Sequence, residues 1–350
     1  MNSAETLSKV PGYLFATTKN GIRSYSANGS RQSFGVAEAQ PVTLDTKFDL
    51  ASLTKIVGTT AALLHLIELG ELQVTDLACK YLDSWQETDK SEITIAELLS
   101  HQSGLAEWRP LYFTDDLSEN VAKQISRIPL TYPRNSGRRY SDLGFISLGE
   151  IVKAVTEQDL PSAFAELVFS PLGMQNTSFL PVAGEIAATS LGDWYEKRMV
   201  ATNTPYKVDL EVSNFPNWRE EYLVGQANDG NSFHRLGGIA GHAGLFSTAE
   251  DLLIFAETVI ANKWQAHNFL SVHGDPMQGL GFRNWRTPSS AGEEIFWGHT
   301  GFTGVALGIA PKHQSAVLLL TNRLHAKGEP TATEELWQPF LTDFCAQIVI

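Results

Sequence analysis

The chain predicts a mixed α/β fold: one antiparallel sheet formed by both chain ends, flanked by helices, with a mostly helical insert. Three observations predict it. Residues 12–38 alternate apolar and polar side chains around the turn signals Asn20-Gly21 and Asn28-Gly29, and Asn-Gly supplies the positive φ angles of a tight hairpin. Near the other end, residues 295–297, 305–309 and 316–321 are short β-rich runs separated by turn residues. Helical spacing dominates between them. At 350 residues the chain suits one large domain or two intimate ones. The predicted division is a sheet-bearing part, 1–75 with 236–350, and a helical part, 76–235, with long cleft-lining loops.

In chain order, residues 41–49 read as a connector. From Ser52 the apolar residues Ile56, Ala61, Leu63, Leu64, Ile67 and Leu69 recur nearly all round, as in a buried helix, with Gly70 as its C-cap. Thr94 followed by Glu97 is a capping-box start. Residues 193–230 carry few periodic apolar residues and much Asn, Trp and Tyr, so this stretch is expected on the surface, lining a substrate site. The run Gly237 to Gly244 allows close backbone approach, Ser247 to Asp251 caps a helix reaching about Ile260, and residues 331–350 have helical spacing.

Composition narrows the function. Hydrophobic residues are 43% and charged residues 19%, which excludes disordered and collagen-like chains. The net charge of -13 argues against nucleic-acid binding, which needs a basic patch. Cys79 and Cys345 are the two cysteines, too few for a disulfide framework or a zinc–thiolate site. The N-terminus lacks a basic and then apolar leader, and no stretch reaches the roughly 18 apolar residues of a membrane span. The expectation is a cytoplasmic protein acting on a small molecule, without metal or organic cofactor.

The chemistry-bearing candidates begin with Ser52-Leu53-Thr54-Lys55, the one Ser-x-x-Lys of the chain. At i, i+3 the hydroxyl and the amine share a helix face, and a desolvated lysine can take the serine proton. Taken alone, the pattern also fits a capping serine and a solvated lysine. Tyr140-Ser141-Asp142 can place a hydroxyl and a carboxylate on one side of an extended segment. His299-Thr300-Gly301 follows a strand, and the N–H of Phe302 can join that of Ser52 as an oxyanion hole.

Together these motifs, with Phe48 to Ala51, Leu98 to Leu105, Gly237 to Ser247 and Gly298 to Gly304, resemble the serine β-lactamase and penicillin-recognising superfamily. Within it the chain most resembles the branch of class C β-lactamases, family VIII carboxylesterases and D,D-peptidases. The resemblance implies the β-lactamase/transpeptidase-like fold, Ser52 as acylated nucleophile, Lys55 as its partner and Tyr140 as second acid/base group. His299 and Thr300 would line the cleft opposite. Two departures stand out: Asp142 where the β-lactamase pattern has Asn, and His299 where it usually has Lys. An ionised Asp142 should hold Lys55 charged and pass the proton-transfer work to Tyr140. A neutral His299 removes a carboxylate anchor, although Arg283 or Arg286 lies just upstream.

The reading is therefore an esterase-like serine hydrolase acting through a Ser52 acyl-enzyme on a small ester or amide. The alternatives are a D,D-carboxypeptidase, a D-aminopeptidase or weak β-lactamase, and, from another class, a catalytically silent binding module. His101 and Ser103 are expected to make local hydrogen bonds, His242 to be a packed histidine and residues 228–231 to be a solvated turn. Trp194, Trp218, Trp285 and Trp297 are expected in the core, with an acyl-binding wall as the other reading.

Overall fold

The computed structural model describes residues 6–290 and 292–348. Its main sheet has seven strands in the order β3-β2-β1-β10-β9-β8-β7. These are β1 (Gly12–Lys19), β2 (Ile22–Gln32), β3 (Gln40–Pro41), β7 (Arg283–Ser289), β8 (Gly292–Gly301), β9 (Val305–Ala310) and β10 (Ser315–Thr321). The chain ends meet at the antiparallel pair β1 and β10, in register from Tyr13 opposite Thr321 to Lys19 opposite Ser315. The predicted sheet is thus present.

Local turn chemistry explains one hairpin and fails at the other. Asn20 and Gly21 both have positive φ, 53° and 77°, and join β1 to β2 as Asn-Gly favours. Asn28 and Gly29 instead lie inside β2. Gly29 is needed there because a Cβ would sit 2.3 Å from the carbonyl oxygen of Pro11, a constraint set by the neighbouring strand.

The sheet is covered on both faces, so its central strands β9 and β10 are buried throughout, as sheets between two helical layers are. The two-residue period splits their side chains. Leu14, Ala16, Leu307, Ile309, Leu318 and Leu320 face the large core. Ala306, Ala310, Val317 and Leu319 face a smaller one formed with Trp337, Leu341 and Phe344 of the C-terminal helix Thr333–Ile348. Each buried leucine contributes roughly 2 kcal/mol.

Between the sheet's two halves runs the helical portion: α1 (Ala61–Glu68), α2 (Ile95–Leu99), α3 (Val121–Ser126), α4 (Asp142–Thr156), α5 (Leu160–Phe164), α6 (Ser170–Leu172) and α7 (Trp194–Thr202). Helix α8 (Ala249–Ile260) then packs on the sheet. The capping box of Thr94 and Glu97 is formed. Residues 41–49 are more than a connector. They include β4 (Phe48–Asp49), which with β5 (Ser178–Phe179) and β6 (Leu245–Ser247) makes a second sheet in the order β4-β6-β5. Strand β4 leads directly to Ser52. No helix of the described residues is long and apolar enough to cross a membrane, and both cysteines are free.

Candidate active site

A strained corner presents Ser52. Asp49, at the end of β4, is buried and accepts the N–H of Ala51 at 2.8 Å and that of Asn228 at 2.7 Å. Burial pushes its carboxyl up to about 6 against those two hydrogen bonds. Ala51 has φ 43°, the left-handed region that non-glycine residues enter only when the surroundings impose it. Opposite, Gly301 at the end of β8 must lack a side chain, because a Cβ would lie 2.5 Å from the Leu50 carbonyl oxygen. Thr303 fastens the same corner through its hydroxyl, 2.7 Å from the Asp49 carbonyl oxygen.

Ser52 therefore sits within a tight turn, Ala51–Leu53, and Lys55 opens a π-helical segment, Lys55–Thr60, that runs into α1. Lys55 is fully buried. Its three N–H donors match three acceptors: Ser52 Oγ at 3.0 Å, Asp142 Oδ1 at 2.7 Å and the His242 carbonyl oxygen at 3.2 Å. Burial pulls the amine down, but Asp142 and Tyr140 outweigh it, and the net shift is upward. The ammonium is held charged.

Tyr140 donates its hydroxyl to Ser52 Oγ at 2.8 Å, and Lys55 Nζ lies 5.0 Å from the centre of its ring. Burial pushes the Tyr140 hydroxyl above its ordinary range, and Lys55 offsets only part of that. Asp142 does not continue an extended segment. It opens α4, whose N-cap Ser141 accepts the Gly144 N–H at 3.2 Å. Ser52, Lys55, Tyr140 and Asp142 thus form one hydrogen-bonded cluster. The ring centre of His299 lies 5.7 Å from that of Tyr140, and its Nδ1 donates to the Thr300 carbonyl oxygen at 2.6 Å. Burial, then Lys55, keeps its pKa well below the ordinary value, so the imidazole is neutral. Thr300 pairs with Ala306 across the β8–β9 ladder, and Phe302 is half exposed beside the cavity.

That cavity has a volume of about 730 Å³ and runs from Ser52 past Trp108, Tyr195, Met199, Tyr206 and Phe302. The tryptophan on its wall is Trp108, whereas Trp285 and Trp297 are core residues. Residues 193–230 do line it, as expected. They are anchored by Asp193, which accepts from Arg219 Nε at 2.9 Å and pairs with His234 Nε2 at 2.8 Å.

Several residues outside the recognised motifs belong to the site. The stretch 228–231 is not a solvated turn. Asp229 meets His242 Nε2 at 2.9 Å and the Ser232 N–H at 2.7 Å, and Asn231 accepts the Leu111 N–H at 2.7 Å. Burial opposes the Asp229 charge, but His242 outweighs it and holds the carboxylate below its usual range. His242 acts through its main chain on Lys55 as well as by packing. Asp142, Asp229 and His242 bring possible metal-ligand atoms within 4.8 Å of one another, and the Lys55 ammonium supplies the positive charge beside them. Glu196 is buried between the Tyr112 hydroxyl and the Gly230 N–H, both at 2.5 Å. Burial, then Asp229, raises its carboxyl to about 8.

The last shift has a consequence for stability. An unfolded glutamate titrates near 4.3, so between about pH 4.3 and 8 the folded chain binds a proton that the unfolded chain does not. Stability then falls as pH rises through that window. Glu196→Gln removes this contribution, and urea titrations at pH 5 and pH 8 should show the variant losing less stability over the interval than the wild type. Equal losses would contradict the assignment.

The family comparison fits this geometry. The Beta-lactamase family model matches residues 3–338. The chain belongs to the Beta-lactamase family. An Escherichia coli (strain K12) protein named as a candidate D-alanyl-D-alanine carboxypeptidase is 32% identical over 321 residues, covering 82% of this chain and 72% of that protein. An N-acetylmuramyl-L-alanine amidase of Bacillus subtilis (strain 168) is 29% identical over 353 residues, covering 90% and 78%. Among solved structures, EstCE1, described as a hydrolase with promiscuous acyltransferase activity, aligns with a TM-score of 0.72 at 21% identity. That alignment covers 99% of this chain and 96% of EstCE1. A class C β-lactamase from Rhodobacter sphaeroides aligns at 0.67 and 17% identity over 98% of this chain and 99% of its own. As a Beta-lactamase family member the chain is a serine hydrolase in class and fold.

Proposed function

We propose that this Beta-lactamase family member cleaves esters or amides through an acyl-enzyme on Ser52, with a bulky acyl group seated in the cavity of about 730 Å³. The observation that carries the reading is the pair of hydrogen bonds converging on Ser52 Oγ, from Lys55 Nζ and the Tyr140 hydroxyl. A charged Lys55 has no lone pair with which to take the serine proton. Tyr140, neutral at rest, takes that proton while passing its own to the leaving group, and the Lys55 ammonium stabilises the negative charge building on Oγ. The N–H groups of Ser52 and Phe302 are the proposed oxyanion donors, on the corner where Gly301 meets Leu50. Water then repeats the exchange in reverse and frees Ser52.

One observation favours a carboxylate-terminated peptide as the substrate. Arg283 is engaged by Glu334 at 2.8 Å and Arg286 by Glu293 at 2.9 Å, so neither strand arginine is a free anchor. Arg138 has no ion pair among the described residues. Its Nε donates to Gln278 Oε1 at 2.7 Å, and its guanidinium carbon lies 5.7 Å from the centre of the Tyr140 ring. A leaving group protonated by Tyr140 therefore departs beside an unpaired cation. The name of the Escherichia coli relative, a candidate D-alanyl-D-alanine carboxypeptidase, supports the same reading.

The test compares a D-Ala-D-Ala-terminated peptide with its C-terminal amide and with p-nitrophenyl butyrate. A charge-assisted hydrogen bond is worth about 1.5–3 kcal/mol. Arg138→Ala should accordingly raise KM for the free-acid peptide about 10-fold more than for the amide. An equal change on both removes the anchor. Ester turnover with no peptide turnover supports a simple esterase, and no turnover or acylation of any substrate supports a silent binding module.

A further inference from the structure

Tyr140 is flanked in the chain by two residues whose main-chain N–H groups are both held by His101. The His101 carbonyl oxygen accepts the Arg139 N–H at 2.8 Å, and its Nδ1 accepts the Ser141 N–H at 3.0 Å. Between these bonds the His101 ring lies against the Tyr140 ring, with centres 4.6 Å apart, and against Phe145 at 5.2 Å. The expectation of merely local hydrogen bonds at His101 is overturned, since its partners lie on the segment leading into α4.

Three features set His101 apart from a packing residue. It is 1% exposed, yet Nε2, which carries the proton when Nδ1 accepts, has no hydrogen-bond partner among the described residues. A buried unmade bond costs about 1–3 kcal/mol, and a phenylalanine would fill the same space without it. The acceptor at Nδ1 is what only the histidine supplies. Its backbone has φ 58°, a strained conformation tolerated where the surroundings impose it. Burial, then Arg138 and Lys55, also hold its pKa well below the ordinary value, which keeps Nδ1 free to accept.

We infer that His101 is a positioning residue, a three-point clamp that aims the Tyr140 hydroxyl at Ser52. The inference rests on the proton-transfer role proposed for Tyr140. A displacement of the order of 1 Å in such a group costs about 10²-fold in rate, whereas substrate binding should change little, because His101 does not line the cavity.

The experiment is a double-mutant cycle on the full chain with p-nitrophenyl butyrate, using His101→Phe, Tyr140→Phe and the double variant. His101→Phe keeps the ring contact and removes the acceptor. It should lower kcat about 10- to 100-fold with KM within about 2-fold, and cause almost no further loss in the Tyr140→Phe background. An equal loss in both backgrounds, a change in KM alone or no loss in kcat overturns the clamp. If Tyr140→Phe itself leaves kcat unchanged, the Tyr140 role fails, and the clamp fails with it for a separately visible reason. Should His101→Phe not fold, His101→Gly carries the same cycle, because glycine tolerates the left-handed backbone and has no side-chain acceptor.

Discussion

Tyr140→Phe should lower kcat by roughly 10²-fold or more, and the loss should be larger for an amide than for an ester of the same acid. The reason lies in what the hydroxyl does at each end of the reaction. It is 2.8 Å from Ser52 Oγ, and in the proposed mechanism it receives the serine proton during attack. Its own proton goes to the leaving group, which an amine requires and a nitrophenolate does not. Phenylalanine preserves the contacts with His101 and His299, so folding and KM should stay near wild type. The check is kcat on a p-nitrophenyl ester and on the matching anilide. Equal losses on both would show that protonation of the leaving group is not the step Tyr140 limits, and no loss would remove it from the mechanism.

Asp142→Asn should change the pH dependence of the reaction more than its maximum. In the wild type, Asp142 at 2.7 Å holds the buried Lys55 charged with a pKa above its ordinary value, so activity loses no ammonium across the usual range. An asparagine oxygen still accepts the hydrogen bond but carries no charge. Burial lowers a lysine by up to about 3–5 units from an ordinary value near 10.4, and of the two carboxylates beside Lys55 only Asp229 remains to oppose that fall. The Lys55 pKa of the variant is then depressed, and its charge is lost as pH rises past about 5–7. Activity should decline over that window while the wild type stays level. Superimposable profiles would show that Asp142 does not control Lys55. A variant whose activity rises with pH would make neutral Lys55 the base.

The legible parts of this molecule were those written in short stretches of chain. Asn20-Gly21 makes its hairpin because two positive φ angles are a local demand. Thr94 and Glu97 form their box because three residues separate cap from carboxylate. Ser52 and Lys55 meet because one helical turn brings them together. What sequence missed was decided by distant neighbours. Asn28-Gly29 carries the same local signal as the true turn, yet the Pro11 carbonyl oxygen beside it makes it part of a strand. Nothing near Arg283 and Arg286 in the chain marks Glu334 as the partner of the first, and nothing near Arg138 marks its lack of an ion pair among the described residues. His101, Asp49, Glu196 and Asp229 are ordinary residues in sequence. Their importance comes from partners 13 to 179 positions away or from the main chain of the Tyr140 segment. The π-helical start at Lys55 also lacks a local signature, since the same residues fit a regular helix.

The most direct test of the central claim is the intact mass of the protein after brief exposure to p-nitrophenyl butyrate and, separately, to benzylpenicillin, each beside Ser52→Ala. The expected result is a mass increase equal to the acyl group from at least one reagent, mapped by peptide digestion to Ser52 and absent from the variant. A penicilloyl adduct supports the carboxylate-terminated peptide reading, and ester acylation alone supports the esterase reading. An adduct of the same size on Ser52→Ala, or turnover retained by that variant, would contradict catalysis through Ser52.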